Sequence, residues 1–312
     1  MNPDMRILFV TSNRLGDAVL STGLLDHLLR AHPNARFTIG CGPVAEGVFT
    51  RMPNRDRTIV LDKQPYRLHW LGLWLATVPR IWDLVVDIRG SAFAWLVPTR
   101  RRAVMRRTPG HKTAQLAAIL GLHPPPMPVV WTLPQDHHRA AALLPANRAV
   151  IALAPGANWP SKIWPAERFA AMFHLLADGP LPGATAAVFG GPAEADRAIA
   201  EPLLRTLPNA IDLTARLSVP EAAACLSRAA LFVGNDSGLM HLAAAAGAPT
   251  LGLFGPTDPT EYAPSGRWAA ATAAPSANIA DLTVAQAFNA ATTLLGSVRG
   301  GISRNLQQTP SS

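Results

Sequence analysis

The chain has 312 residues, of which 49% are hydrophobic and 15% charged. That length fits two domains of ordinary size with ample cores, and the composition excludes a disordered chain. The net charge of +8 is uneven: residues 1–147 hold 18 Lys and Arg against 9 Asp and Glu, and residues 148–312 hold 10 against 11. A basic first half suits an anionic partner (phosphorylated lipid, membrane surface or nucleic acid), or it is the solubility bias of an Arg-rich, Ala-rich chain. Cys41 and Cys225 stand far apart in no metal spacing and read as thiols of a reducing compartment. No charge-free apolar run of about 18 residues is present, so no membrane span is expected. The short run at 7–10 is followed at once by Arg14 and Asp17, which makes it a first strand rather than a signal peptide.

In chain order, the spacing predicts a strand over 6–11, the loop Ser12-Asn13-Arg14-Leu15-Gly16-Asp17, and a helix over 18–30 with apolar Val19, Leu20, Leu24, Leu25, Leu28 and Leu29. Loops at the carboxyl ends of parallel strands are where α/β proteins bind ligands. Asp17 therefore stands at such a mouth, either as a helix N-cap or as a functional carboxylate. A second strand covers 37–40. Gly40-Cys41-Gly42-Pro43-Val44-Ala45, with Asp62 downstream, imitates a dinucleotide fingerprint, but it follows the second strand instead of the first. After a short strand at 58–61, residues 68–82 carry Trp70, Trp74 and Trp82 among leucines. They read as a core-facing helix, with a lipid-interface helix as the alternative. Residues 83–88 form another strand, and Arg89-Gly90-Ser91 its carboxyl-end loop. Arg100, Arg101 and Arg102, with Arg106 and Arg107, are the densest basic cluster: a solvated face, or a contact for a phosphate or membrane. Pro124-Pro125-Pro126-Met127-Pro128 breaks regular structure, a short helix lies within 131–146, and the domain boundary is placed near residue 146.

The second half opens on a strand at 149–154. Its loop, Pro155-Gly156-Ala157-Asn158-Trp159-Pro160-Ser161-Lys162-Ile163-Trp164-Pro165, leads to a helix over 166–176. A lysine beside a helix N-terminus is unfavourable unless an anion lies between them, so Lys162 implies one. A strand at 186–189 is followed by Gly190-Gly191-Pro192-Ala193-Glu194, where Glu194 also suits an ordinary first turn. Residues 213–217 and a helix at 220–229 precede a βαβ unit over 230–259. There Leu231-Phe232-Val233 is the strand, Gly234-Asn235-Asp236-Ser237-Gly238 the turn, 239–246 the helix, Gly247 its stop and 249–254 the next strand. The backbone N–H groups around Ser237 and Gly238 suit a phosphate. Asp236 either caps the helix or binds a polar ligand. His241, about one turn further in, is either a packed core histidine or part of the same site. A helix over 282–295 and a flexible tail at 297–312 end the chain.

Three spaced motifs resemble glycosyltransferase family nine, the ADP-heptose:lipopolysaccharide heptosyltransferase family. They are R-L-G-D-A-V-L-S-T around Asp17, P-G-A-x-W-x-x-K-x-W-P around Lys162, and G-N-D-S-G-x-M-H-x-A-A-A-x-G followed by G-P-T-D-P around Asp236. The resemblance implies an α/β GT-B fold, two Rossmann-like domains facing across a cleft. Residues 1–146 would receive the acceptor and 147–296 the nucleotide-sugar, with 297–312 as tail. It implies an inverting, metal-independent transfer with Asp17 as general base. Donor contacts would come from Asn158, Lys162, Glu194, Asp236, Ser237, Gly238 and His241, with no cofactor beyond the donor itself, ADP-heptose being the family's commonest. Partners would be that donor and an anionic glycolipid acceptor of lipopolysaccharide-core type; the charge cluster Arg100, Arg101 and Arg102, lying in the half that would receive the acceptor, is the candidate acceptor or anion contact. Localisation would be cytoplasmic with peripheral contact at the inner membrane, and no nucleic acid is expected. A GT-B-like sugar-nucleotide epimerase, a non-catalytic sugar-nucleotide-binding member and a nucleic-acid-binding protein are the rival readings.

Overall fold

The computed structural model describes residues 5–307, and the chain divides into two compact units, Met1–Leu133 and Pro134–Ser312. The first unit runs β1 (Arg6–Val10), α1 (Leu15–Ala31), β2 (Arg36–Cys41), α2 (Pro43–Phe49), β3 (Arg55–Val60), α3 (Leu68–Thr77), β4 (Trp82–Asp87), α4 (Phe93–Leu96), β5 (Thr99–Val104) and α5 (Lys112–Ala118). Its five strands are all parallel, in the order β3-β2-β1-β4-β5. Parallel strands joined by helices are covered on both faces, which is why β1 and β4 carry the apolar runs 7–10 and 84–86. On one face α1 buries Val19, Leu20, Leu24, Leu25 and Leu28. On the other, Leu8, Val10 and Val85 meet Leu73, Phe93 and Val97.

The second unit runs α6 (Pro134–Leu143), β6 (Val150–Ala154), α7 (Ala166–Asp178), β7 (Thr185–Val188), α8 (Glu194–Thr206), β8 (Ile211–Asp212), α9 (Val219–Leu226), β9 (Leu231–Asn235), α10 (Gly238–Ala245), β10 (Thr250–Phe254), α11 (Pro259–Tyr262), β11 (Ala269–Ala273) and α12 (Val284–Gln307). Its six strands are parallel in the order β11-β10-β9-β6-β7-β8. Each sheet has the doubly wound order of a nucleotide-binding unit. The order reverses between β1 and β4 in the first unit and between β6 and β9 in the second. Ligands of such sheets bind at the carboxyl ends of the strands where the order reverses.

Four expectations are corrected. The division falls at Leu133/Pro134 rather than near 146, because α6 packs on α9 of the second unit. The helix expected over 68–82 stops at Thr77. Val78 precedes Pro79, a position that disfavours helix, and Trp82 instead opens β4 fully buried, donating Nε1 to the Thr77 carbonyl at 3.0 Å. The tail expected from Ser297 is helical as far as Gln307. The missing side chain of Gly301 makes room for the Trp268 ring, where a Cβ would lie 2.1 Å from Cη2, and Arg299 donates to the Pro180 carbonyl at 2.6 Å. Packing here outweighs the poor helix propensity of glycine; residues 308–312 of the expected tail lie outside the described residues. Strand β5, hidden by the charge pattern, carries Arg100, Arg101 and Arg102 but not Arg106 or Arg107, and β11 emerges where the sequence signal was thin.

Both cysteines are buried free thiols, and burial pushes Cys41 up to about 12 and Cys225 up to about 11. Neither is expected to react with iodoacetamide at neutral pH in the folded protein, and both should react once denaturant unfolds it. Mass spectrometry of the alkylated chain checks this, and fast labelling of either native thiol would contradict it.

Candidate functional site

The second unit builds its site where β6 and β9 diverge. Asn235, the last residue of β9, is wholly buried. Its amide nitrogen donates to the Pro155 carbonyl at 2.7 Å, and its amide oxygen accepts from the Trp164 backbone N–H at 3.3 Å. One side chain thereby fastens both ends of the loop that follows β6. Trp164 is itself fixed. Its Nε1 donates to the Leu282 carbonyl at 2.8 Å and its ring meets Phe169 edge-on at 5.0 Å.

Held in this way, the loop brings Lys162 Nζ to 2.5 Å from Asp236 Oδ2, with the two side chains only 18% and 10% exposed. The anion that Lys162 calls for next to a helix is thus the carboxylate of Asp236. Nζ also lies 5.3 Å from the Trp159 ring centroid. Asp236 is not a helix cap. Ser237 occupies the N-cap of α10, with extended backbone and no capping hydrogen bond from its side chain. Ser237 Oγ is buried and has no hydrogen-bond partner among the described residues. The hydroxyl therefore keeps both its donor and its acceptor capacity beside the N–H groups of the first turn of α10.

Gly238 opens α10, and His241 sits buried in the same helix. Asn158 lies exposed on the β6 loop, and Glu194 is exposed at the first position of α8. Asp196, two residues further on, is the carboxylate that Gly191 faces: a Cβ on Gly191 would come 2.3 Å from its Oδ2. Beyond it, Asp212 accepts from Thr214 Oγ1 at 2.5 Å, the Thr214 N–H at 3.0 Å and Arg197 Nη1 at 3.2 Å. Burial alone would raise the Asp212 pKa, but these donors bring it below the usual carboxylate range. Neither Asp196 nor Asp212 stands out in the sequence; only the rim of the sheet gathers them.

The first unit has its own carboxyl-end constellation, where β1 and β4 diverge. Asp17 is the third residue of α1, one turn inside Arg14, which is the N-cap and makes no side-chain capping bond. Asp17 is therefore not the cap. Its Oδ2 accepts from Ser12 Oγ at 3.2 Å. Asp87, wholly buried at the end of β4, accepts from the N–H groups of Arg89 and Ser91, both at 2.8 Å, and from Ser91 Oγ at 2.5 Å. That turn aims Arg89 at Asn13 Oδ1, 3.2 Å away, and lays its guanidinium 4.7 Å from the Trp70 ring centroid. Burial lowers the Arg89 pKa, against the pull of Asp87. Arg89 is a site candidate that the sequence offers only as part of a loop; the buried aspartate two residues earlier was the available signal.

Arg100, Arg101 and Arg102 are not gathered there. They lie on the edge strand β5, and Arg100 pairs with Asp83 at 3.5 Å near the amino end of β4. Arg102 turns back onto α4, donating Nε to the Ala94 carbonyl at 2.7 Å and Nη2 to the Val97 carbonyl at 3.0 Å. Charge along an edge strand also blocks pairing with another chain.

The sequence profile of glycosyltransferase family 9 (heptosyltransferase) matches residues 96–289, more than half of the chain. The chain belongs to glycosyltransferase family 9. Lipooligosaccharide heptosyltransferase 2 of Haemophilus influenzae is 33% identical over 132 residues, which cover 40% of this chain and 36% of that protein. The enzyme of the same name from Haemophilus ducreyi is 24% identical over 306 residues, covering 83% of this chain and 86% of that one. Among solved structures, Escherichia coli heptosyltransferase WaaC with ADP superposes with a TM-score of 0.70 at 20% identity, over 96% of this chain and 100% of that one. The fold is the GT-B type of this family, and the family is one of glycosyltransferases. The family-9 match contains Lys162, Glu194 and the whole segment from Asn235 to His241, whereas Asp17 precedes it.

Replacing Asn235 by Ala leaves the Pro155 carbonyl and the Trp164 N–H without their partner, at about 1–3 kcal/mol for each buried group. The expected outcome is a lower Tm together with faster proteolysis within 155–164, measured by denaturation and limited digestion. An unchanged cleavage pattern would show that other contacts hold the loop.

Proposed function

We propose that this chain moves a heptose from ADP-heptose to a lipopolysaccharide-core or related glycolipid acceptor, with inversion and without a metal. The observation that carries the reading is the second unit's carboxyl rim. A lysine already paired to a carboxylate stands beside a buried, unpaired serine hydroxyl at the N-terminus of α10. An ammonium has three donors, so Lys162 keeps two beyond the one given to Asp236. Those donors, the Ser237 hydroxyl and the free N–H groups of the first turn suit the oxygens of a diphosphate. Relatives named as lipooligosaccharide heptosyltransferases and a neighbour solved with ADP support the choice of sugar and nucleotide.

In this reading Asp17 takes the proton of an acceptor hydroxyl as its oxygen bonds to the anomeric carbon. The bond from that carbon to the diphosphate oxygen breaks on the opposite side, and its electron pair leaves with the diphosphate. Lys162 and the α10 N–H groups offset the charge that develops there. Asn158, Glu194 and His241 complete the donor contacts, and no cofactor other than the donor takes part. Arg89, held by Asp87, Asn13 and Trp70, adds a fixed positive charge beside the Asp17 loop and suits an anionic acceptor. Such acceptors are held in a lipid layer, so the enzyme would work at the cytoplasmic face of the inner membrane in peripheral contact with it.

Asp17→Asn should lower turnover by about 10²–10⁴-fold, the range of general-base contributions, while the donor Kd stays within error. Stopped assays with ADP-heptose and a heptose-free core acceptor, alongside calorimetry of donor binding, check both halves; a variant turning over at the normal rate removes Asp17 as the base. Ser237→Ala should leave the Tm unchanged or raised, because no capping bond is lost, yet weaken ADP-heptose binding by about 1 kcal/mol, roughly fivefold. If binding is untouched, the donor does not reach this hydroxyl. A thermal-shift series with ADP-, GDP- and UDP-sugars tests the nucleotide, since a true donor must raise the Tm, and raise it further as its concentration passes its Kd.

A further inference from the structure

Helix α3 carries only His69 and the buried Thr77 as polar residues, and its outer side is apolar, which for a helix at the surface of a water-bathed unit is unusual. Its inward side carries Trp70, Leu73 and Trp74, which pack on the sheet through Leu8, Val10 and Val85. Its outward side carries Leu68, Leu71 and Leu75, spaced three and four apart so that they form one stripe. These leucines are 49%, 50% and 57% exposed. The short helix α4 packs beside it, fixed where Trp74 Nε1 donates to the Leu96 carbonyl at 3.0 Å, and presents Trp95 and Leu96 at 63% and 64% exposure. Five large apolar side chains thus face outward from two adjoining helices.

We propose that this outer face of α3 and α4 docks on an anionic lipid bilayer. Two features select a bilayer. First, the patch is bordered by cation on its β5 side: Arg102 lies 5.6 Å from the Trp95 ring centroid, and Arg100, on the same side of β5, keeps 70% of its side chain exposed despite its contact with Asp83. Leucine to enter the acyl boundary, tryptophan at the interface and arginine at headgroup level are the parts of a peripheral membrane contact. Second, the whole basic excess of the chain lies in residues 1–147, the half that carries this face. None of the helices of the described residues is long and apolar enough to cross a membrane, so the contact is one of lying on the surface. The tryptophans that suggest a lipid helix in the sequence, Trp70 and Trp74, are the ones turned inward; the leucines between them do the docking.

The inference draws on the proposed acceptor only for its choice of occupant, and its test uses neither donor nor acceptor, so either can fail alone. Full-length protein is floated with vesicles of phosphatidylethanolamine and phosphatidylglycerol, and with vesicles of phosphatidylcholine alone. The native chain should float with the anionic vesicles, less so as salt rises, and weakly with phosphatidylcholine. The double variant Leu71→Glu, Leu75→Glu should keep its Tm, both side chains being exposed, and lose binding by at least about tenfold. A Leu71→Cys variant labelled with a polarity-sensitive dye, its native thiols being buried, should shift to the blue on the anionic vesicles. Native protein that stays unbound, or a double variant that floats as well as the native chain, would overturn the proposal. So would a native dimer that the double variant abolishes without any vesicle binding, because the face would then be a contact between copies of the chain. Equal, salt-independent binding to both vesicle types would overturn the role given to the arginines.

Discussion

A lysine ammonium and an aspartate carboxylate 2.5 Å apart, on loops seventy-four residues apart in sequence, set the character of the second unit's site. The pair forms because Asn235, at the end of β9, ties down both ends of the loop that carries the lysine. Largely shielded from water, each charge needs the other. The pair also leaves the lysine with donors to spare beside a helix N-terminus.

The first unit repeats the logic with different parts. A buried carboxylate, Asp87, takes the place of the buried amide, and it shapes a turn instead of a long loop. The turn delivers Arg89 to the loop that precedes Asp17. In both units a wholly buried polar side chain at a strand end, hydrogen-bonded to backbone, positions a charged side chain that is not itself buried. The strand ends are where the sheet stops supplying partners, so polar side chains there can organise loops without disturbing the ladder.

Much of the architecture was legible because its signals are local. The apolar runs of β1, β4, β6 and β9 are short and bounded by glycine, proline or charge, and the helix between β9 and β10 ends at Gly247, whose φ of +88° requires a residue without Cβ. The site residues Lys162 and Asp236 stood out for a physical reason, a cation next to a helix start and an acid next to another. Where several local patterns compete, sequence reading failed. Trp82 continues a tryptophan-rich helix in periodicity yet opens a strand, Gly-rich residues after 296 continue a helix because Trp268 packs on Gly301, and a run of arginines conceals β5.

The sequence by itself determined the alternation of strands and helices, the family, and the residue types at the strand ends, since each is written in a window of a few neighbours. The tertiary structure alone decided who meets whom. Strand order brings the loops after β6 and β9 side by side, so that Asp236 answers Lys162 instead of capping a helix, and Ser237 Oγ finds no hydrogen-bond partner among the described residues. It turns Trp70 and Trp74 inward and leaves Leu71 and Leu75 outside. Such outcomes depend on contacts between residues far apart along the chain, and no local pattern of side chains carries that information.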